Sequence, residues 1–424
     1  MKQESKYEQV VYYLKNEIES GKLQTGSRLP SIRKLSQDFH CSKDTIQRAL
    51  LELRYEKYIY PKPQSGYYVL EQQTRHEDLL ISVNDEHLAA YDDFRLCVNE
   101  SLIGRENYLY NYYEHQEGLE ELRQSVQTLL FDQAIYSKSD QLVITTGTQQ
   151  ALFILSQIDF PGKGQEILVE QPTYHRMNQL LKAQNLPYQT IERRVDGIDL
   201  DKLEEHFKSG KIKFFYTIPR FHYPLGHSYS EEEKRAILDL AAKYHIYIVE
   251  DDYLGDLDPK LGQTFHYLDQ HDLVIYIKSF STSIFPALRI TALILPNAIK
   301  EAFVAYKNIL DYDNNLIMQK ALSLYIDSQL FEKNRMARLA LQEKSQRHIQ
   351  QLLKNYPIPL PCYPLHDGLL IDLRSYAKIA SLKHSSLNLD FFEPSYIGTC
   401  PYHYVKVPIE NLEATLKYLK TELD

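Results

Sequence analysis

Tryptophan is absent from this 424-residue chain, and cysteine is scarce. The four cysteines, Cys41, Cys97, Cys362 and Cys400, are scattered without metal-type spacing. That pattern argues against a disulfide framework or a thiolate metal site and fits reduced thiols in a cytoplasmic protein. No run of about 20 apolar residues occurs, so no membrane-spanning helix is expected. The start, Met1-Lys2-Gln3-Glu4-Ser5, is charged and polar, unlike a signal peptide. There is no G-x-S-x-G nucleophile elbow. Gly162-Lys163-Gly164 lacks the continuation of a dinucleotide fingerprint, and His266 and His271 lack a third metal ligand.

What is present is unevenly placed. The net charge is −9, yet residues 1–70 hold 12 Lys+Arg against 8 Asp+Glu, a balance of +4. The remainder holds 36 (48 − 12) against 49 (57 − 8). A small basic head on a large acidic body points to a polyanion met by the head alone.

In the head, Tyr7, Val10, Val11, Leu14 and Ile18 recur at helical spacing and predict a helix over about Lys6–Glu19. Ser31 can cap a second helix carrying Ile32, Leu35 and Phe39, and Ser42 a third carrying Ile46, Leu50 and Leu53. Tyr58–Tyr60 and Tyr67–Val69 predict a hairpin around a turn rich in Pro and Gly. Three helices and a hairpin form a winged helix-turn-helix, whose third helix enters the major groove of double-stranded DNA. The run G-x-L-x-x-G-x-x-L-P-S-x-R, followed by S-x-x-T-x-x-x-A-L-x-x-L and a Gly-tipped hairpin, resembles the DNA-binding domain of the GntR family. That resemblance implies DNA contacts at Arg33, Ser42, Lys43, Thr45, Gln47, Arg48 and the wing tip Ser65-Gly66. Gln47 departs from an arginine found in some members, which leaves base preference open.

Residues 71–100 are polar, without clear period, and read as the join between the head (1–70) and a body (101–424). The body alternates apolar runs with helical stretches. Strands are expected at Gln141–Thr146, Glu166–Glu170, Lys213–Ile218, Tyr247–Glu250 and Leu273–Ile277, hence a largely parallel α/β sheet. One long helical stretch, about Lys300 to Leu353, leads to a smaller α+β unit within about 305–424. Ligands of such sheets sit at the carboxyl ends of the strands. There the chain carries Thr146-Gly147-Thr148-Gln149-Gln150, where free N–H groups open a helix, and Glu250-Asp251-Asp252-Tyr253.

In order, Tyr113-x-x-x-x-Gly118, Thr146-Gly147-Thr148-Gln149-Gln150, Glu170-x-Pro172-x-Tyr174, Glu250-Asp251-Asp252-Tyr253 and Ser279-x-Ser281…Pro286-x-Leu288-Arg289 form one series. It resembles the fold-type-I aminotransferase-like domain of the MocR subfamily of GntR regulators. The resemblance implies a phosphate site for pyridoxal phosphate (PLP) lined by Gly147, Thr148, Gln149, Ser279, Ser281 and Arg289. It implies Tyr174 stacked on the pyridine ring, Asp251 on the ring nitrogen and Tyr253 near the ring hydroxyl. Tyr113 would reach the phosphate of a neighbouring subunit, so a homodimer is implied.

Three departures stand out. Thr282 occupies the position of the lysine that bonds the cofactor, and a hydroxyl cannot replace an amine there. His222-Tyr223 stand where an amide residue would meet the ring hydroxyl. Lys406 replaces an arginine that would clamp a carboxylate, giving a point charge instead of a fork. Lys278 is the only nearby lysine. It lies four residues early, about 13 Å along an extended chain, and reads as a solvent-facing strand-end residue. The leading expectation is a DNA-binding regulator with no catalytic residue and no covalently bound cofactor. Its body would dimerise and sense a small-molecule effector, with non-covalent PLP or a related phosphate or carboxylate ligand permitted. Alternatives are a regulator holding PLP through Lys278, a ligand-free scaffold, or a PLP-dependent aminotransferase.

Overall fold

The computed structural model describes residues 6–19, 22–24, 26–55, 58–62, 65–69, 85–103, 107–110, 116–258, 262–311, 315–376, 382, 387 and 389–423. The chain divides into two compact units, Met1–Val83 and Asn84–Asp424.

In the first unit, α1 (Lys6–Glu19), α2 (Ile32–Asp38) and α3 (Lys43–Tyr55) precede a hairpin of β1 (Ile59–Lys62) and β2 (Gly66–Val69). The Ser31 hydroxyl accepts from Lys34 N–H, and the Ser42 hydroxyl from Thr45 N–H, so both caps form. Val10, Leu14, Leu35, Ile46, Leu50, Leu53, Ile59 and Val69 close one core. Burying that stripe turns the opposite face of α3 to solvent. The turn before α2 is laced to the wing by Gly26 N–H on Val69 O, Leu29 N–H on Tyr67 O and Val69 N–H on Ser27 O, at 2.9, 2.9 and 3.0 Å.

The second unit opens with α4 (Asp85–Ser101), which takes up the second half of the stretch expected to be the join and packs on two later helices, Leu316–Asp327 and Leu330–Asn355. Next come α5 (Asn107–Tyr110), α6 (Glu120–Asp132), β3 (Leu142–Thr145), α7 (Gly147–Gln157), β4 (Glu166–Gln171), α8 (His175–Ala183), β5 (Tyr188–Arg194), β6 (Gly197–Ile198), α9 (Leu200–Lys208) and β7 (Ile212–Thr217). Then follow α10 (Glu231–Tyr244), β8 (Tyr247–Asp251), α11 (Phe265–Leu268), β9 (Val274–Ser279) and β10 (Thr291–Ile294). The single helical stretch expected near 300–353 is three helices: α12 (Asn297–Leu310), α13 (Leu316–Asp327) and α14 (Leu330–Asn355). Asn315 caps α13 through its side chain, which marks one of the breaks. The chain ends in β11 (Cys362–Pro364), β12 (Gly368–Asp372), β13 (Tyr404–Pro408) and α15 (Leu412–Leu423).

The large sheet runs β3-β10-β9-β8-β7-β4-β5-β6. Its centre, β9 to β5, is parallel; β10 is antiparallel to both of its neighbours, and β6 to β5. Strands β7, β8 and β9 are buried at every position and are rich in apolar residues. One face carries Tyr276, Phe280, Ile284, Leu122, Leu322 and Tyr325; the other carries Ile275, Ile277, Val249, Ala151 and Leu155. A small antiparallel sheet, β11-β12-β13, packs with α14 and α15 through Ile349, Leu352, Leu369, Val405 and Leu416. Since α14 reaches both cores (Phe331 in one, Leu352 in the other), it ties the small sheet to the large one.

Candidate functional site

Two sites are built, one in each unit. On the head, the DNA-facing candidates Arg33, Ser42, Lys43, Gln47 and Arg48 are all exposed, and Thr45 is half-buried. The Ser42 and Thr45 hydroxyls lie 2.9 Å apart, so the cap also orients Thr45. Arg48 lies 5.7 Å from the Tyr7 ring centroid. At the wing tip, Ser65 bonds the Tyr68 hydroxyl at 2.6 Å. Gly66 has φ +112°, and a Cβ there would come within 3.4 Å of the Arg28 side chain. Sequence reasoning misses Arg28; its presence in the turn before α2 gives no hint that it reaches the wing.

On the body, the strand ends bring the predicted cluster together. The Asp251 carboxylate is buried at the end of β8. Its Oδ2 accepts from the Tyr216 hydroxyl at 2.8 Å, while Oδ1 has no partner among the described residues. Burial, with Asp252 adding to it, pushes the Asp251 carboxyl up to about 7. Tyr174 stands at the position before α8, after the β4 loop, without a side-chain cap bond among the described residues; burial, then the Asp251 charge, raises its hydroxyl. Gln149 lies beside that hydroxyl, and Tyr223 sits edge-on to the Tyr174 ring at 6.4 Å between centroids. The Tyr253 hydroxyl donates to Phe221 O at 3.0 Å.

Gly147 (φ +76°) opens α7, and Thr146 makes no side-chain cap bond among the described residues, where the first N–H groups of a helix have no intrahelical partner. A Cβ on Gly147 would lie 2.5 Å from Arg289 Nη2. A guanidinium thus rests against a positive helix terminus, an arrangement that an anion between them relieves. Arg289 adopts φ +53°, and its N–H donates to the Ser281 hydroxyl at 3.2 Å. The Thr148 hydroxyl lies 3.4 Å from that of Thr291, and Ser279 closes β9 opposite Thr291. Thr282 is exposed and donates to Tyr253 O at 2.7 Å. Tyr113 lies outside the described residues.

Three expectations change. Lys278 is fully buried, not solvent-facing, and its Nζ lies 2.6 Å from Asp256 Oδ1. Successive strand residues point to opposite faces. Lys278 therefore shares a face with Tyr276, whereas Asp251, paired with Ile277, faces the other way. His222 is buried with Nε2 3.4 Å from Glu170, so only Tyr223 of the His222-Tyr223 pair joins the pocket aromatics. Lys406 is not a free cation: its Nζ lies 2.5 Å from Asp367.

Other contacts are not anticipated by the sequence. Arg220 forks onto Asp252, with Nε at 2.9 Å, and Tyr276 donates to the same carboxylate at 2.6 Å. Glu250 accepts Phe265 and His266 N–H, both at 2.9 Å. Of the acidic triplet, Glu250 and Asp252 thus brace the loops, and Asp251 keeps an oxygen open among the described residues.

A family model for aminotransferase class I and II matches residues 97–371, and one for bacterial regulatory proteins of the gntR family matches residues 6–69. The chain is 35% identical over 428 residues to the uncharacterized HTH-type transcriptional regulator YcxD of Bacillus subtilis (strain 168), covering 96% of each. It is 28% identical over 402 residues to the uncharacterized HTH-type transcriptional regulator YdcR of Escherichia coli (strain K12), covering 86% of this chain and 85% of that one. A crystal structure of Pyrococcus horikoshii kynurenine aminotransferase, in complex with PMP, superposes with a TM-score of 0.67 at 22% identity, covering 79% of this chain and 88% of that one. The chain therefore belongs to the gntR-type bacterial regulators that carry a class I/II aminotransferase domain behind a winged helix-turn-helix.

Proposed function

We propose that this protein is a DNA-binding transcription regulator whose body holds a phosphate-bearing pyridine ligand, PLP or a relative, non-covalently and does not transaminate it. The exposed face of α3 and the wing would bind operator DNA, as the gntR-type head implies. The body would pair two chains and report ligand occupancy to the head.

The residues fit such a ligand. The open, buried Asp251 Oδ1 matches a ring N–H. Arg289 against the α7 terminus matches a phosphate, with Gly147, Thr148, Gln149, Ser279 and Ser281 around it. Tyr174 and Tyr223 offer aromatic faces, and Tyr253 lies alongside. When bound, such a cofactor supplies an electron-withdrawing pyridinium, which a carboxylate keeps charged. This chain's part would be to exclude water from Asp251 and to hold the ring proton there.

The observation that carries the reading is Thr282, a hydroxyl beside Tyr253 at the position that the resemblance gives to the cofactor-bonding lysine, while the nearest lysine in sequence, Lys278, sits on the other face of the sheet. Adding PLP, recording the visible spectrum, then reducing with borohydride and weighing the protein tests it. Binding with no mass increment is expected. A stoichiometric increment on any lysine would overturn non-covalent holding. A footprint on DNA upstream of the protein's own gene tests the head; no binding by dimeric protein at low salt would sink the regulatory reading.

A further inference from the structure

The pocket's chemistry leaves Lys278 and Asp256 unused, although both are buried and each lies at the base of a site segment. Asp256 lies in a helical turn at Gly255–Leu257, just after Tyr253. Its carboxylate is within 2.6 Å of Lys278 Nζ, accepts Gln133 Nε2 at 3.2 Å and accepts the Ser283 hydroxyl. Burial works against ionisation, but Lys278 and Ser283 overcome it and hold the Asp256 carboxyl at about 2. A buried ion pair is a weak source of net stability, because desolvation offsets its attraction. What it can do is fix one geometry.

The geometry it fixes is that of Ser283. The Ser283 hydroxyl is held by Asp256, while its carbonyl accepts Asn334 Nδ2 at 2.7 Å and Arg338 Nη1 at 3.3 Å, both from α14. Ser283 is therefore gripped on two sides, and it adjoins Thr282 and Ser281. Ser281 in turn holds the backbone of Arg289. The chain of contacts runs from Lys278 through Asp256 and Ser283 to the phosphate-binding loop, and from the same serine to the helix that carries the small sheet.

We propose that the Lys278–Asp256 pair is a positioning strut that sets the 280–289 loop in its phosphate-binding shape before any ligand arrives and fastens it to α14. In a site without a covalent tether, a loop ordered in advance lowers the entropic cost of binding. The strut makes the site selective for phosphate-bearing ligands, and in that respect the inference rests on the ligand reading above.

The test uses the full chain and the double variant Lys278→Met/Asp256→Asn. It removes both charges of the pair together, so neither Lys278 nor Asp256 is left as a lone buried charge. Two measurements are made. In ligand-free protein, amide hydrogen exchange over 280–289 is expected to speed up at least tenfold, with 142–157 unchanged. In titrations, affinity for PLP is expected to fall at least tenfold while affinity for pyridoxal moves less than twofold. Unchanged exchange over 280–289 in the folded variant overturns the strut. So does equal weakening toward both probes, because a merely structural defect would produce that. If the parent protein binds neither probe, the ligand reading fails, and the exchange measurement still decides the strut. Should the double variant not fold, Ser283→Ala, which cuts the strut's contact with the loop and leaves both charges paired, is put through the same exchange comparison.

Discussion

The Tyr216 hydroxyl occupies one oxygen of the Asp251 carboxylate and leaves the other, equally buried, without a partner among the described residues. A lone pair enclosed by protein is costly unless something fills it, and a protonated ring nitrogen does so with a charge-assisted bond. Such a bond contributes about 1.5–3 kcal/mol. Asp251→Asn should therefore weaken PLP binding by about 10- to 100-fold, read by spectrophotometric titration, with the fold intact by circular dichroism. Undiminished affinity would place the ring elsewhere.

The same carboxylate predicts a pH dependence. Its folded pKa, about 7, lies above the ordinary value of 3.8. The folded state then holds a proton that the unfolded chain releases, so this contribution to stability is complete below about pH 4 and lost as pH rises to about 7. Glu250, pushed up to about 7 mainly by burial, slopes the same way. Thermal unfolding of ligand-free protein from pH 5 to 8 should show a decline that is shallower in Asp251→Asn. An unchanged slope in the variant would assign the decline to other groups.

Arg289→Ala should reduce affinity for PLP by about 10- to 100-fold, the worth of a charged hydrogen bond, and leave pyridoxal binding nearly unaltered. Parallel calorimetric titrations of the two compounds check this. Comparable losses for both would mean that Arg289 shapes the pocket without receiving the phosphate.

Thr282→Lys should confer what the parent lacks. The Thr282 side chain is exposed beside Tyr253, so a longer side chain has room. The variant should retain PLP through dialysis and gain a borohydride-stable mass increment at residue 282. Failure to do so would show that residue 282 does not reach the reactive carbon.

In the head, Lys43→Ala should weaken binding to all DNA sequences alike and lower the salt-dependence slope by about 1 if it neutralises one phosphate. Gln47→Ala should relax preference at one base position instead. Competition binding across a randomised operator pool separates the two. A sequence-dependent effect at Lys43 would make it a base reader.

The winged helix was legible because its apolar spacing is amphipathic and its caps are local, as at Ser31 and Ser42. The strand-end candidates were legible because most α/β ligands sit there. Lys278 was misread for a physical reason. The run Val274-Ile275-Tyr276-Ile277 is apolar at every position, since both faces are buried, so no alternation reveals which face the next residue takes. Asp256, 22 residues away in sequence, supplies the missing partner only through the fold. Lys406 with Asp367 and Arg220 with Asp252 are hidden likewise: their separations of 39 and 32 residues carry no local pattern. Strand β5, Tyr188–Arg194, went unread because it is largely polar.

The wing hangs from the turn before α2 by main-chain bonds at Gly26, Leu29 and Val69. Main-chain bonds are indifferent to side-chain identity, so, Gly66 apart, the wing's attachment does not depend on which residues decorate its tip. If the wing tip meets DNA as proposed, substitutions at Ser65 would change the contact made without re-aiming the wing. Specificity in this head is thus free to diverge at the surface while the mechanical frame stays put.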